Sequence, residues 1–213
     1  MAGDSTGLEA RHVSHYYAFR MGKRISFPRY PKLSVVGDLR THLFLSAQVT
    51  RGPCHDMCEG PTILRQARER CRLGLVLLDA GYDAEHTHVL VREELGGQSV
   101  IPPQQGRGTR KWPTGTYRRE MRRNFPRQIY GQRWQIESAI SRHKRRLGSA
   151  LRASTWAGQQ RQVRLRVLVH NLLILLRACR RLFNRATRPQ FGGGNCGSFS
   201  RGLKGACCKE LQH

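Results

Sequence analysis

The chain has 213 residues, enough for one domain with a buried core. Lys and Arg number 38 against 14 Asp and Glu, a formal charge of +24 that draws the molecule to polyanions, nucleic acid first and an anionic membrane surface second. Two classes fall away: the longest apolar run, residues 167–176, is interrupted by His170 and Asn171 and is shorter than the roughly 20 residues a bilayer requires, and the seven cysteines form no paired framework.

In chain order, Asp4, Ser5, Thr6 and Gly7 taken alone read as a turn or helix cap. No charged segment followed by an apolar run marks a signal peptide. Residues 31–38 and 41–49, rich in Val, Leu, Phe and Ser around Gly37, Asp38, Leu39 and Arg40, predict an antiparallel hairpin. Gly52 and Pro53 break the chain, and Pro61 opens a helix to about residue 72. Residues 73–78 are a short apolar run, a buried strand that ends at Asp79. Gly81 turns the chain, and Asp83 is placed to cap the following helix. That helix covers 85–95 and stops at Gly96 and Gly97. Residues 98–101 form another short strand, ended by Pro102 and Pro103.

Residues 104–128 are rich in Gly, Arg, Pro and Gln and read as an exposed basic loop with one helical turn. Trp112, beside Lys111, is a candidate platform for stacking on a base. A helix follows over 130–148. At about 100° per residue, Tyr130, Arg133, Glu137 and Lys144 share one face, while Trp134, Ile136, Ala139, Ile140 and Leu147 face the core. Trp134 is read as packing rather than stacking. A second long helix spans 158–183, with Leu165, Leu168, Leu172, Leu175, Leu176 and Cys179 on one side, as a buried amphipathic helix. The order of elements is that of an α/β fold. Residues 1–185 are expected to form one domain and 186–213 a disordered basic tail.

Cys54 and Cys58, with His55 between them, lack the spacing of a zinc site. Cys71 and Cys179 stand alone, and Cys196, Cys207 and Cys208 lie in the tail. Reduced thiols in a cytosolic protein are the expected state. His12, His15, His86 and His88 have no ligand-like spacing and receive no role.

The helix at 130–148 carries Tyr, two residues, Arg, three residues, Glu, six residues, Lys. With Asp4 to Glu9, residues 31–36, Asp38, Gly52, Pro53, Asp56, residues 77–83 and His170, Asn171 and Leu172, that spacing resembles bacterial insertion-sequence transposases of families four and five, in the DDE superfamily, over roughly residues 3–185. The resemblance implies an RNase H-like core with a mixed sheet flanked by helices. It implies Asp4, at the end of a first strand, Asp79 and Glu137 as catalytic acids that bind two Mg²⁺ ions, with Mn²⁺ as substitute. Tyr130, Arg133 and Lys144 would contact DNA phosphates near the cut end. Arg133 can grip a phosphate bidentately or pair with Glu137 four residues on. Arg142, Arg145 and Arg146 would extend the charge to the backbone. Double-stranded DNA, at element ends and target, is the implied partner. A homodimer and a cytoplasmic, nucleoid-associated bacterial location are implied as well.

The chemistry suits that set. Cutting and rejoining a phosphodiester needs an in-line nucleophile and a stabilised leaving oxygen, and two metal ions about 4 Å apart provide both. Mg²⁺ prefers oxygen ligands, so three carboxylates from distant parts of the chain suffice. Only three residues precede Asp4, so the resemblance implies a first strand, and hence a core, incomplete at the N-terminus and a truncated member of the family. A second reading is therefore an inactive fragment that only binds nucleic acid. A basic protein of the membrane surface is a third, opposed by the lack of a segment with interfacial aromatics on an amphipathic face.

Overall fold

The structure is a computed structural model and describes residues 1–10, 20, 22, 30–104 and 112–186. His12, His15, Lys111, Cys196, Cys207, Cys208 and all but the first residue of the tail expected over 186–213 lie outside the described residues.

Five strands form one mixed sheet in the order β3-β2-β1-β4-β5. They are β1 (Ala2–Gly7), β2 (Tyr30–Gly37), β3 (Phe44–Gly52), β4 (Leu75–Leu77) and β5 (Gln98–Val100). β1 runs antiparallel to β2 and parallel to β4. β2 and β3 form the expected antiparallel hairpin. β4 and β5 run parallel. Helices α1 (Asp56–Arg70) and α2 (Glu85–Val89, continued as a π-turn over Leu90–Glu94) flank the sheet with α3 (Thr116–Arg123), α4 (Arg127–Tyr130), α5 (Trp134–Leu147) and α6 (Trp156–Ala186). This α/β architecture agrees with an RNase H-like core.

Side-chain alternation along β2 divides the interior. Leu33 and Val35 join Ala2, Leu77, Ile136, Ala139, Ile140 and Val163 in one apolar cluster under α5 and α6. Val36 joins Ile63, Leu64, Val76, Leu78 and Val91 in the other, under α1 and α2. Gly37 lets α5 approach closely, because a Cβ there would stand 2.5 Å from Ile136 Cδ1.

Several expectations need correction. Asp4 is the third residue of a six-residue strand, not the last, because all six positions pair with β2, from Ala2 opposite Gly37 to Gly7 opposite Lys32. α1 starts at Asp56 and carries Pro61 inside it. Asp56 and Glu59 favour the earlier start at the positive end of the helix. The segment expected to be a basic loop holds the two-turn helix α3, whose first N–H groups are capped from afar: Glu85 accepts from Tyr117 N at 3.0 Å and Arg118 N at 3.1 Å. Asp83 does not cap α2. Its buried carboxylate takes a two-point grip from Arg118, at 3.0 and 2.9 Å, and accepts Gln104 N.

The stretch expected as one helix from 130 is α4, a 3₁₀ turn over Gly131–Arg133, and then α5. Trp134 is 57% exposed, not core, since Ile136, Ala139 and Ile140 fill the buried face. The leucine stripe of α6 is exposed as well. The helix turns Gln159, Val163 and His170 inward instead, and Asn171 pairs with both main-chain groups of Phe44 at 2.9 Å, so hydrogen bonding to the sheet edge sets its rotation.

Candidate active site

Register brings the first two acids together. Ala2 pairs with Leu77 across parallel strands. Asp4 and Asp79 each lie two residues further, so period-two alternation carries both to the α5 side of the sheet, on chains about 4.8 Å apart. Asp79 lies two residues past Leu77, the last residue of β4, and accepts Ala80 N at 2.7 Å, which also makes it the cap of a 3₁₀ turn. Capping of the turn and placement just past the strand therefore coexist at this residue. Glu137 arrives on the first turn of α5, next to buried Ile136.

Arg133 lies at the centre. Its Nη2 donates to Asp4 Oδ1 at 3.1 Å and stands 3.6 Å from Asp79 Oδ2, and its Nη1 donates to Glu137 Oε1 at 2.5 Å. One guanidinium thus joins acids from β1, the end of β4 and α5. Its side chain is 11% exposed, whereas those of Asp79 and Glu137 are 50% and 55% exposed. Asp79 and Glu137 are open to solvent, whereas Asp4, 20% exposed, and the cation between them are largely covered.

The electrostatics follow. Burial pushes the Asp4 carboxyl above its ordinary range, Arg133 opposes this, and Glu137 and Asp79 add to the rise. Burial works against the charge on Arg133, but Asp4 and Asp79 keep it protonated beyond the usual range. Tyr130, packed on Phe125 at 5.1 Å between ring centroids, has its phenol pushed up by burial and, against Arg133, by Asp79, Glu137 and Asp4. The signature tyrosine, arginine and glutamate therefore share one locale. Lys144 stands two turns beyond Glu137, roughly 10 Å along the helix.

The remaining basic candidates lie outside that centre. Arg142 and Arg145 on α5 and Arg177 on α6 crowd Arg146, which slight desolvation and these like charges hold below its ordinary pKa. Trp112 is 55% exposed, with Arg122 and Arg123 over its ring at 5.2 and 5.8 Å.

A supporting cluster was not legible. Ser5, pointing to the opposite face from Asp4, donates to Asp56 Oδ1 at 2.6 Å. Lys32, buried in β2, pairs with the same oxygen and with the Cys54 carbonyl. The Tyr82 hydroxyl is buried there without a hydrogen-bond partner among the described residues, and burial, with Asp56, Asp4 and Asp79, pushes its phenol up. The only sequence signal was a lysine in an apolar strand.

Three carboxylates are the oxygen donors a hard divalent cation takes, and they already converge on one positive group. As they stand, with the guanidinium between them, no three Asp, Glu, His or Cys side chains among the described residues are close enough to hold a metal. No helix among these residues is long and apolar enough to cross a membrane. A family model described as a transposase DDE domain matches residues 2–172. Comparison with curated proteins and with solved structures gave no match.

Proposed function

The chain belongs to the transposase DDE domain family, and from that premise we propose that it cuts DNA strands at the ends of a mobile element and joins them to target DNA. Members of such a family generally use divalent metal ions, and they act on DNA. Asp4, Asp79 and Glu137 are the catalytic acids in this reading. They would hold two Mg²⁺ ions, with Mn²⁺ as substitute, which supply an activated nucleophile and a neutralised leaving oxygen when bound.

The observation that carries the reading is the convergence of three acids, at positions 4, 79 and 137, on a single guanidinium, with Asp79 and Glu137 open to solvent. Tyr130, Arg133 and Lys144 would hold phosphates beside the cut. Arg142 and Arg145, with Arg146, would take the flanking backbone, and the exposed Trp112, beside Arg122 and Arg123, would stack on an unpaired base. Two copies would pair so that two element ends are held together, within a cytoplasmic, nucleoid-associated location.

The test is nicking of supercoiled plasmid with Mn²⁺ or Mg²⁺. The wild-type chain is expected to nick, and Asp79→Asn and Glu137→Gln to lose at least about 100-fold in rate. Equal nicking by these variants would overturn the site assignment. Salt-sensitive DNA binding without nicking by the wild type would leave a nucleic-acid-binding protein without catalysis.

A further inference from the structure

Arg133 cannot serve all its partners at once. A guanidinium has five N–H donors and no acceptor. Here two of its nitrogens are committed to Asp4 Oδ1, Asp79 Oδ2 and Glu137 Oε1, while its Nε is buried without a hydrogen-bond partner among the described residues. These oxygens are the ones a divalent cation would take. A cation bound there would face the guanidinium across a few ångströms, and both would compete for the same negative charge. The same side chain also cannot reach out to a phosphate while it is held 11% exposed among three carboxylates.

We propose that Arg133 is the internal counterion of the metal-free acids and that it is released from them to a DNA phosphate when divalent metal binds. This rests on the reading of Asp4, Asp79 and Glu137 as the metal-binding acids. In the metal-free state Arg133 offsets the mutual repulsion of three carboxylates, and it keeps them in place around a site that is otherwise unfilled by positive charge. With metal bound, the acids no longer need it. The surplus positive charge then favours a phosphate, and Arg133 lies beside Tyr130 at the start of α5 to receive one. Metal and DNA binding are thereby coupled through one side chain, and coupling of this kind is reciprocal.

The experiment is Mn²⁺ binding to the full chain by calorimetry, with DNA affinity measured by fluorescence anisotropy on a short duplex with and without Ca²⁺. Wild-type DNA affinity is expected to rise at least about fivefold with Ca²⁺. Arg133→Gln is expected to bind Mn²⁺ about tenfold more tightly than wild type, because no cation has to leave, and to lose most of the Ca²⁺ effect on DNA. Mn²⁺ affinity of a folded Arg133→Gln equal to or below wild type overturns the proposal. An unchanged wild-type DNA affinity with Ca²⁺ does so too, even if that variant fails to fold. Failure of the underlying site reading looks different: Asp79→Asn would then bind Mn²⁺ as tightly as wild type, or no variant would bind it at all.

Discussion

His143 is fully buried on the inner face of α5, and neither ring nitrogen has a hydrogen-bond partner among the described residues. Its ring lies 5.7 Å from Phe44 and 5.5 Å, edge-on, from His170, which itself stacks on Phe44 at 4.2 Å. Burial, then the nearby His170, Arg166 and Lys144, bring its pKa down from 6.5 to about 4. The neutral ring is therefore the folded form. As pH falls below 6.5 the unfolded chain takes up a proton that the folded chain refuses until about pH 4, so stability drops across that window and levels off beneath it. Between pH 7 and pH 5 the loss from this group is about 2 kcal/mol. His143→Phe keeps an aromatic ring and removes the proton. Urea unfolding at the two pH values should show a wild-type pH dependence steeper than the variant's by about that amount. Parallel pH profiles would mean the ring is solvated in a way the packing denies. Nothing in the sequence marked this histidine, because its position depends on which face of α5 meets Phe44 and α6.

At the scale of elements, the hold of α6 on the sheet rests on Asn171, which donates to and accepts from the main chain of Phe44 at the edge of β3. An edge strand presents unpaired N–H and C=O groups, and one side-chain amide satisfies both here. Asn171→Leu removes both bonds and should cost about 2 kcal/mol in chemical denaturation. The loss should be local as well, with faster hydrogen exchange at the Phe44 amide than global destabilisation explains; protection there that tracks global stability alone would refute the docking role.

The same helix shows where sequence reasoning stops. The leucine spacing from Leu165 to Leu176 identified a helix and its apolar face, but periodicity does not say what covers that face. Val163 in the core and the hydrogen bonds of Asn171 and His170 turned a different, mixed face inward. Trp134 was misplaced as well. It opens α5, and at about 100° per residue it stands more than 100° around the helix from Ile136, Ala139 and Ile140, so the face that carries them never included it. By contrast the hairpin, the strand ending at Asp79 and the turn at Gly96 were legible because their signals are local: alternation, a short apolar run and a glycine with φ of 66°. The acids were named through a motif; their meeting on Arg133 depends on the parallel register of β1 and β4, which no local pattern encodes.

At the scale of the whole molecule, charge and apolar surface pull in opposite directions with salt. Leu165, Leu168, Leu172, Leu175 and Leu182 are each between 46% and 66% exposed along α6, at spacings of three, four, three and seven residues. That is the spacing of a helix that packs along another helix. Arg177, Arg180 and Arg181 fall off the stripe, and Arg166 is bound to the Gly148 and Ala150 carbonyls, so two copies can bring these leucines together without burying those arginines. Each copy, however, carries a formal +24, and at low salt that repulsion opposes pairing. Screening shortens its reach from about 10 Å at 0.1 M to about 3 Å at 1 M salt while leaving the apolar contact intact. Sedimentation velocity should therefore show a dimer fraction that increases with salt, whereas DNA affinity falls through loss of counterion release. The pair Leu172→Glu and Leu175→Glu should remain monomeric throughout and still bind DNA as a folded chain. A wild type that stays monomeric at every salt concentration would remove this stripe as the contact between copies. A dimer that weakens with salt would mean that polar contacts, not the leucines, hold it. On DNA, phosphates take over the role of added salt by neutralising both copies, so pairing should be strongest where two protein molecules share one duplex.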